Sequence, residues 1–186
     1  MSASPTDAKD TPPGGITKII GIGQTLRGDD AAGIAAVSLW QKTFPASAGQ
    51  PHIIVELIEL PGIGLLNLLE GVNKAILVDA VCGDAEPGTV YTIAENQLES
   101  FELGTMSAHG WGISETLSLA RELTPAEVPE ELILIGIEAG QMEMGEGLSQ
   151  QVEQALPRVA SLIEQLISGI SGPIQDQSVS SRTSPK

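Results

Sequence analysis

The sequence predicts an α/β protein built on an open, mostly parallel sheet covered on both faces by helices. Three observations carry this expectation. Short apolar runs rich in Ile, Val and Leu recur along the chain, separated by segments whose apolar residues fall at helical spacing. Several runs are continuous rather than alternating, as in strands buried on both faces. Pro87-Gly88 marks a sharp reversal before the fourth run, so that strand is expected to lie antiparallel.

Taken in order, residues 1–15 form a polar, Pro/Gly-rich leader expected to be disordered. Ile19–Ile22 is a buried strand, and Gly21 and Gly23 are expected to let the chain turn at its end. Asp29 is expected to cap a helix running to about Gln41, with Ala32, Ala35, Ala36 and Leu39 packing close to the sheet. Phe44-Pro45 opens a loop. Ile53–Ile58 is a second, β-branched strand. Leu65–Leu69 is a short helix ended by Gly71. Ala75–Val78 is a third strand with Asp79 at its end, and Thr89–Ile93 a fourth. A polar loop over 95–108 leads into Met106-Ser-Ala-His109, and Ile113, Thr116, Leu117 and Ala120 line the next helix. Leu132–Ile137 is the fifth strand, followed by Glu138. Leu148, Val152, Leu156, Val159, Ile163 and Leu166 recur at helical spacing to about Ser168, with a kink or restart expected at Pro157. Residues 16–168 thus make one domain, and the Ser/Pro/Gln-rich 169–186 is expected to be a disordered tail.

Composition excludes several functions. Acidic residues outnumber basic ones by 24 to 9, a formal charge of −15. A nucleic-acid binder needs a basic face, and an anionic membrane surface attracts one, so neither partner is expected. The charge is compatible with a cation ligand or a basic protein partner, while most of the 24 acids suit a well-solvated surface. One cysteine, Cys82, allows no internal disulfide and no cysteine-based zinc site. No apolar run approaches the ~18 residues of a membrane span, and the leader lacks a signal-peptide core. A cytoplasmic location is expected.

In open α/β sheets the ligand sits outside the carboxyl ends of the strands. Asp29 and Asp30, Glu59, Asp79 and Glu138 all fall at such ends, and His109 precedes a helix that starts at the same rim. The other histidine, His52, lies at the opposite rim. Two carboxylates and an imidazole make a mixed oxygen/nitrogen site suited to nickel, zinc, cobalt or iron(II) with positions left open. By residue type alone, each group also has an ordinary structural use. Asp29 as a cap, Asp79 bonded to amides at a strand end, His109 as a packed residue and Cys82 as a small buried hydrophobe all fit, although Cys82 is near enough to Asp79 in sequence to serve as a soft ligand or nucleophile. Gly21-Ile-Gly23-Gln-Thr-Leu26 is a broken dinucleotide fingerprint, lacking its third glycine, and the acidic pair beside it repels phosphate. No serine occupies a nucleophile elbow.

These residues resemble the hydrogenase maturation endopeptidases, over about residues 17–168. Ile20-Gly-Ile-Gly-Gln-Thr-Leu-Arg-Gly-Asp-Asp-Ala-Ala-Gly33 is similar to the family's opening motif, and Asp79-Ala-Val with Pro87-Gly-Thr-Val to its central one. Ser107-Ala-His109-Gly-Trp-Gly-Ile-Ser-Glu-Thr-Leu117 resembles its histidine motif, and Gly136-Ile-Glu138 and Gly147–Leu156 its closing segments. Gln24 stands where the family usually has Asn, Glu59-Leu-Pro-Gly62 where some members carry Asp-Gly-Gly-Thr, and Ile137-Glu-Ala139 where it has Ile-Glu-Pro.

The resemblance implies a three-layer α/β/α sandwich with a five-stranded sheet. It also implies an aspartyl-type endopeptidase that trims the C-terminal extension of the large-subunit precursor of a nickel-iron hydrogenase. Asp30, Asp79 and His109 match the family's metal-recognition triad and are the catalytic and metal-ligand candidates, with Asp29 a secondary catalytic candidate. The metal is nickel carried by the substrate, and a monomer is expected. The competing reading is a non-catalytic nickel chaperone of hydrogenase assembly using the same three ligands.

Overall fold

In the computed structural model, residues 15–59, 64–94, 97, 113–124 and 128–169 are described. The sheet strands are β1 (Thr17–Ile22), β2 (Ile53–Ile58), β3 (Lys74–Val81), β4 (Val90–Ala94) and β5 (Glu131–Glu138). The helices are α1 (Ala32–Thr43), α2 (Pro45–Ala48), α3 (Leu65–Leu69), α4 (Ile113–Leu123) and α5 (Gln150–Ile167), with a 3-10 turn at Gly28–Ala31 before α1. The five strands lie in the order β2-β1-β3-β5-β4. All neighbours are parallel except β4 and β5, so the reversal at Pro87-Gly88 makes the antiparallel strand as expected.

Successive side chains of a strand point to opposite faces, and the two cores follow that alternation. Ile19, Ile76, Val78, Ile135 and Ile137 pack beneath α1 and α5. Ile20, Ile22, Leu77, Leu132 and Leu134 pack against α3 and α4. This is the three-layer sandwich. Aromatics contribute little to it apart from Trp40, which is fully buried. Its indole N–H donates to Glu164 of α5 at 3.0 Å, and Ser47 of α2 donates to the same carboxylate at 2.6 Å, so one acid ties three helices together.

Helix α1 lies very close to the sheet, and only part of its buried face is the one expected. Ala32, Gly33, Ala36, Val37 and Trp40 are buried, whereas Ala35 and Leu39 are only partly so. A Cβ on Gly33 would stand 2.2 Å from the Val78 carbonyl oxygen and 2.3 Å from that of Ile22. Gly21, inside β1, meets the same approach from the other side, with the Gly33 carbonyl 2.8 Å from its would-be Cβ. Gly21 therefore serves close packing rather than a turn. Gly33→Ala must push the helix off the sheet at its tightest point. We expect a loss of about 3 kcal/mol, the upper end for overpacking, measurable by urea unfolding.

Other boundaries differ from expectation. Pro45 opens the short helix α2 from its first turn, where its fixed φ and missing N–H cost nothing. Asp79 lies within β3, not at its end, because β3 continues through Ala80 and Val81 against β5. α5 runs through Pro157 without a break. Pro157 and Glu153, whose carbonyl loses its helical partner, are both exposed, on the solvent side of the helix. The leader apart from Gly15, the 95–108 loop apart from Gln97, and residues 170–186 lie outside the described residues.

Candidate active site

The strand order reverses between β1 and β3, and ligands of open α/β sheets bind at such a switch point, outside the carboxyl ends of the strands. Three segments meet there: residues 23–30 after β1, the end of β3 with residues 82–89, and the 139–149 connection between β5 and α5. The chain turns into the first of these at Gly23, where a side chain would strike the Asp30 carbonyl, with oxygen and would-be Cβ only 2.0 Å apart.

Asp30 and Asp79 are 0% and 1% exposed. Asp79 accepts from the backbone N–H of Ala80 at 2.9 Å. Arg27 approaches Asp30 to 4.0 Å. Burial drives the Asp79 carboxyl upward, the Ala80 hydrogen bond opposes this, and the charge of Asp30 adds to the rise, which reaches about 7 from 3.8. The charge of Asp30 is thus felt at Asp79, and a cation at this rim would favour the ionised form of both. His109, the third expected member, lies outside the described residues. Among the described residues, no group of three or more His, Cys, Asp or Glu side chains is gathered tightly enough to hold a metal ion.

The raised value makes a signed prediction. The folded state holds the Asp79 proton more tightly than the unfolded chain, so the stabilising contribution is complete below about pH 4 and is lost as pH rises through 7. Asp79→Asn removes the buried charge and keeps the acceptor for Ala80. The metal-free variant should exceed the wild type in stability at pH 8, by up to roughly 4 kcal/mol, with the advantage shrinking toward pH 4. Urea unfolding across that range measures it.

Asp29, adjacent in sequence, has a different role from the one expected. No side chain caps the 3-10 turn, and Asp29 does not cap its own helix. Its buried carboxylate instead accepts the N–H groups of Gly140 at 2.8 Å, Gln141 at 3.0 Å and Ser149 at 2.6 Å, and the Ser149 hydroxyl at 2.8 Å. Ser149 in turn is the N-cap of α5, its Oγ accepting from Val152 N–H. Asp29 thus pins the β5–α5 connection across the site and places an anion at the start of that helix. Ser149, a serine near the start of the periodic run, is a residue type that favours helix starts; its link to Asp29 carried no such signal.

The remaining rim groups separate clearly. Glu138 is buried and accepts from Gly83 N–H and from the Tyr91 hydroxyl, holding the segment after β3 against β5. Burial, then the Glu138 hydrogen bond and charge, push the Tyr91 phenol up to about 12. Glu59 is exposed and accepts from Thr25 N–H and Oγ1 at 3.2 and 2.7 Å, which lowers its pKa. The Cys82 thiol donates to Met142 Sδ at 3.5 Å. Burial first, then the charges of Glu138, Asp30 and Asp79, push that thiol up despite Arg27, so it stays protonated at neutral pH and is a poor nucleophile. Arg27 and Met142, both at the site, carried no distinctive sequence signal.

Fold and site together define a doubly wound α/β protein with paired buried carboxylates at its switch point. The chain matches the family model described as hydrogenase maturation protease over residues 55–166. It is 33% identical to protein FrxA of Pyrococcus furiosus over 103 residues, covering 55% of this chain and 75% of that one. It is 25% identical to the hydrogenase 2 maturation protease of Escherichia coli over 141 residues, covering 73% and 80%. The solved structure of the hydrogenase maturating endopeptidase HybD of E. coli superposes with a TM-score of 0.69 at 21% identity, over 83% of this chain and 94% of that one. The chain belongs to the hydrogenase maturation protease family, whose members are peptide-bond hydrolases. No helix among the described residues is long and apolar enough to cross a membrane.

Proposed function

We propose that this endopeptidase removes the C-terminal extension of a nickel-iron hydrogenase large-subunit precursor, and that it recognises nickel already seated in that precursor through Asp30, Asp79 and His109. The observation that carries the reading is that Asp30 and Asp79 are both buried at the β1/β3 switch point, with the charge of Asp30 felt at Asp79. Arg27 reaches Asp30 at 4.0 Å, and a divalent cation would offset two buried carboxylates more fully than that single distant guanidinium. A precursor loaded with nickel supplies that cation; an empty one does not. Cleavage then reports that the metal is in place.

The chain's own residues do the following in this reading. Asp79 gives up the proton that its burial favours as it and Asp30 take oxygen-donor positions, and His109 must be neutral to donate its ring nitrogen, so processing falls as pH drops below about 6.5. Asp29, with its oxygens committed to four donors, holds the adjoining connection in place rather than moving a proton. A nickel ion held beside the scissile carbonyl would polarise it or acidify a water. The test is incubation with nickel-loaded and nickel-free precursor, reading the C-terminal mass loss by mass spectrometry. Trimming only of the loaded form supports the reading. Tight binding of free nickel with no trimming would instead favour the chaperone.

A further inference from the structure

Two large apolar side chains stand exposed at the edge of this site. Leu26 is 71% and Met144 75% exposed. Their loops are zipped together: Gly145 N–H donates to the Leu26 carbonyl at 2.8 Å, Gly28 N–H to Glu146 at 3.2 Å and Arg27 Nε to Met142 at 3.3 Å. The Asp29 carboxylate locks the same connection from below. The exposure is therefore held by ordered backbone on both sides.

The pair is continuous with the site. Arg27, next to Leu26, reaches to 4.0 Å from Asp30. Met142, two residues before Met144, contacts Cys82, whose thiol feels Asp30 and Asp79. Its frame is acidic. Exposed Glu143 and Glu146 flank Met144, and exposed Glu59 is bonded to Thr25 beside Leu26. An acid-framed apolar pair repels a second copy of a chain carrying −15 and repels an anionic membrane equally. It complements a polypeptide with an apolar residue flanked by lysine or arginine.

We propose that Leu26 and Met144 form a lip that seats an apolar side chain of the substrate polypeptide beside the cleaved region, with Glu59, Glu143 and Glu146 pairing to basic residues around it. This rests on the substrate assigned above but not on its nickel. The test uses the full chain and nickel-free precursor, so that the lip is read apart from metal recognition. Leu26→Ala combined with Met144→Ala removes only exposed side chains and should leave the unfolding midpoint unchanged.

The double variant is expected to weaken binding of nickel-free precursor by about tenfold or more, as burial of one or two aliphatic side chains implies. In trimming of loaded precursor it should raise KM with kcat little changed. Glu143→Lys with Glu146→Lys should weaken binding as well and lessen its salt dependence. An unchanged Kd and KM in the double variant overturns the proposal, as does a wild-type dimer that the double variant abolishes. If the wild type binds precursor and loses affinity through the lip, yet trims loaded and empty forms alike, the nickel reading fails and the lip stands.

Discussion

Asp29→Ala is expected to be among the most destabilising single substitutions in this chain, by roughly 3–5 kcal/mol. The carboxylate is fully buried and accepts from four donors spread over Gly140, Gln141 and Ser149. Removing it leaves three backbone N–H groups without their acceptor, each costing about 1–3 kcal/mol where water cannot replace it. It also removes an anion from the start of α5. Asp29→Asn is a poor rescue, because its amide NH2 would face donors. Thermal unfolding should show a midpoint lower by about 10 °C or more for a chain of this size. A shift of under a degree or two would mean that the β5–α5 connection is held by other contacts. In the proposed reading Asp29 fixes the frame through its four internal donors, so residual activity of the folded fraction should persist.

Asp30→Asn and Asp79→Asn are expected to lower processing of loaded precursor by at least about 10²–10³-fold each, with the fold retained. An amide cannot offset a cation as a carboxylate does, and at buried positions the lost charge is screened little by bulk water. Asp79→Asn is the more informative of the two. Its expected gain in stability at pH 8 accompanies its loss of activity, a combination that general damage to the fold cannot produce. His109→Ala should match them in processing. Near-normal trimming by all three would end the assignment.

Much of the fold was legible because it follows from local patterns. β2 appears with the bounds the β-branched run suggested, and Pro87-Gly88 announced the antiparallel strand. Limits set by tertiary contacts were not legible. β3 was expected to stop before Asp79 because a carboxylate looks like a strand end, yet the β5 ladder carries it on to Val81. Pro45 looked like a loop because its helix is only one turn long.

At the site, the places of Asp30 after β1 and of Asp79 near the end of β3 put both at one rim of the sheet, and both are buried there. The division of labour between the two adjacent aspartates was readable only in part. Asp29 was recognisable as a structural acid, but its partners lie 111, 112 and 120 residues away in sequence. Spacing gives no hint of such contacts. The Cys82–Met142 pair and the lip at Leu26 and Met144 were hidden for the same reason.

The central claim is that paired carboxylates read a cation brought by the substrate. The most direct measurement is the affinity of the wild type and of the Asp30→Asn/Asp79→Asn double variant for precursor with and without nickel, by calorimetric titration. The wild type should prefer the loaded form by at least about tenfold, and the double variant should lose that preference while still binding the empty form. Equal affinity of the wild type for both forms, or an undiminished preference in the double variant, would contradict it.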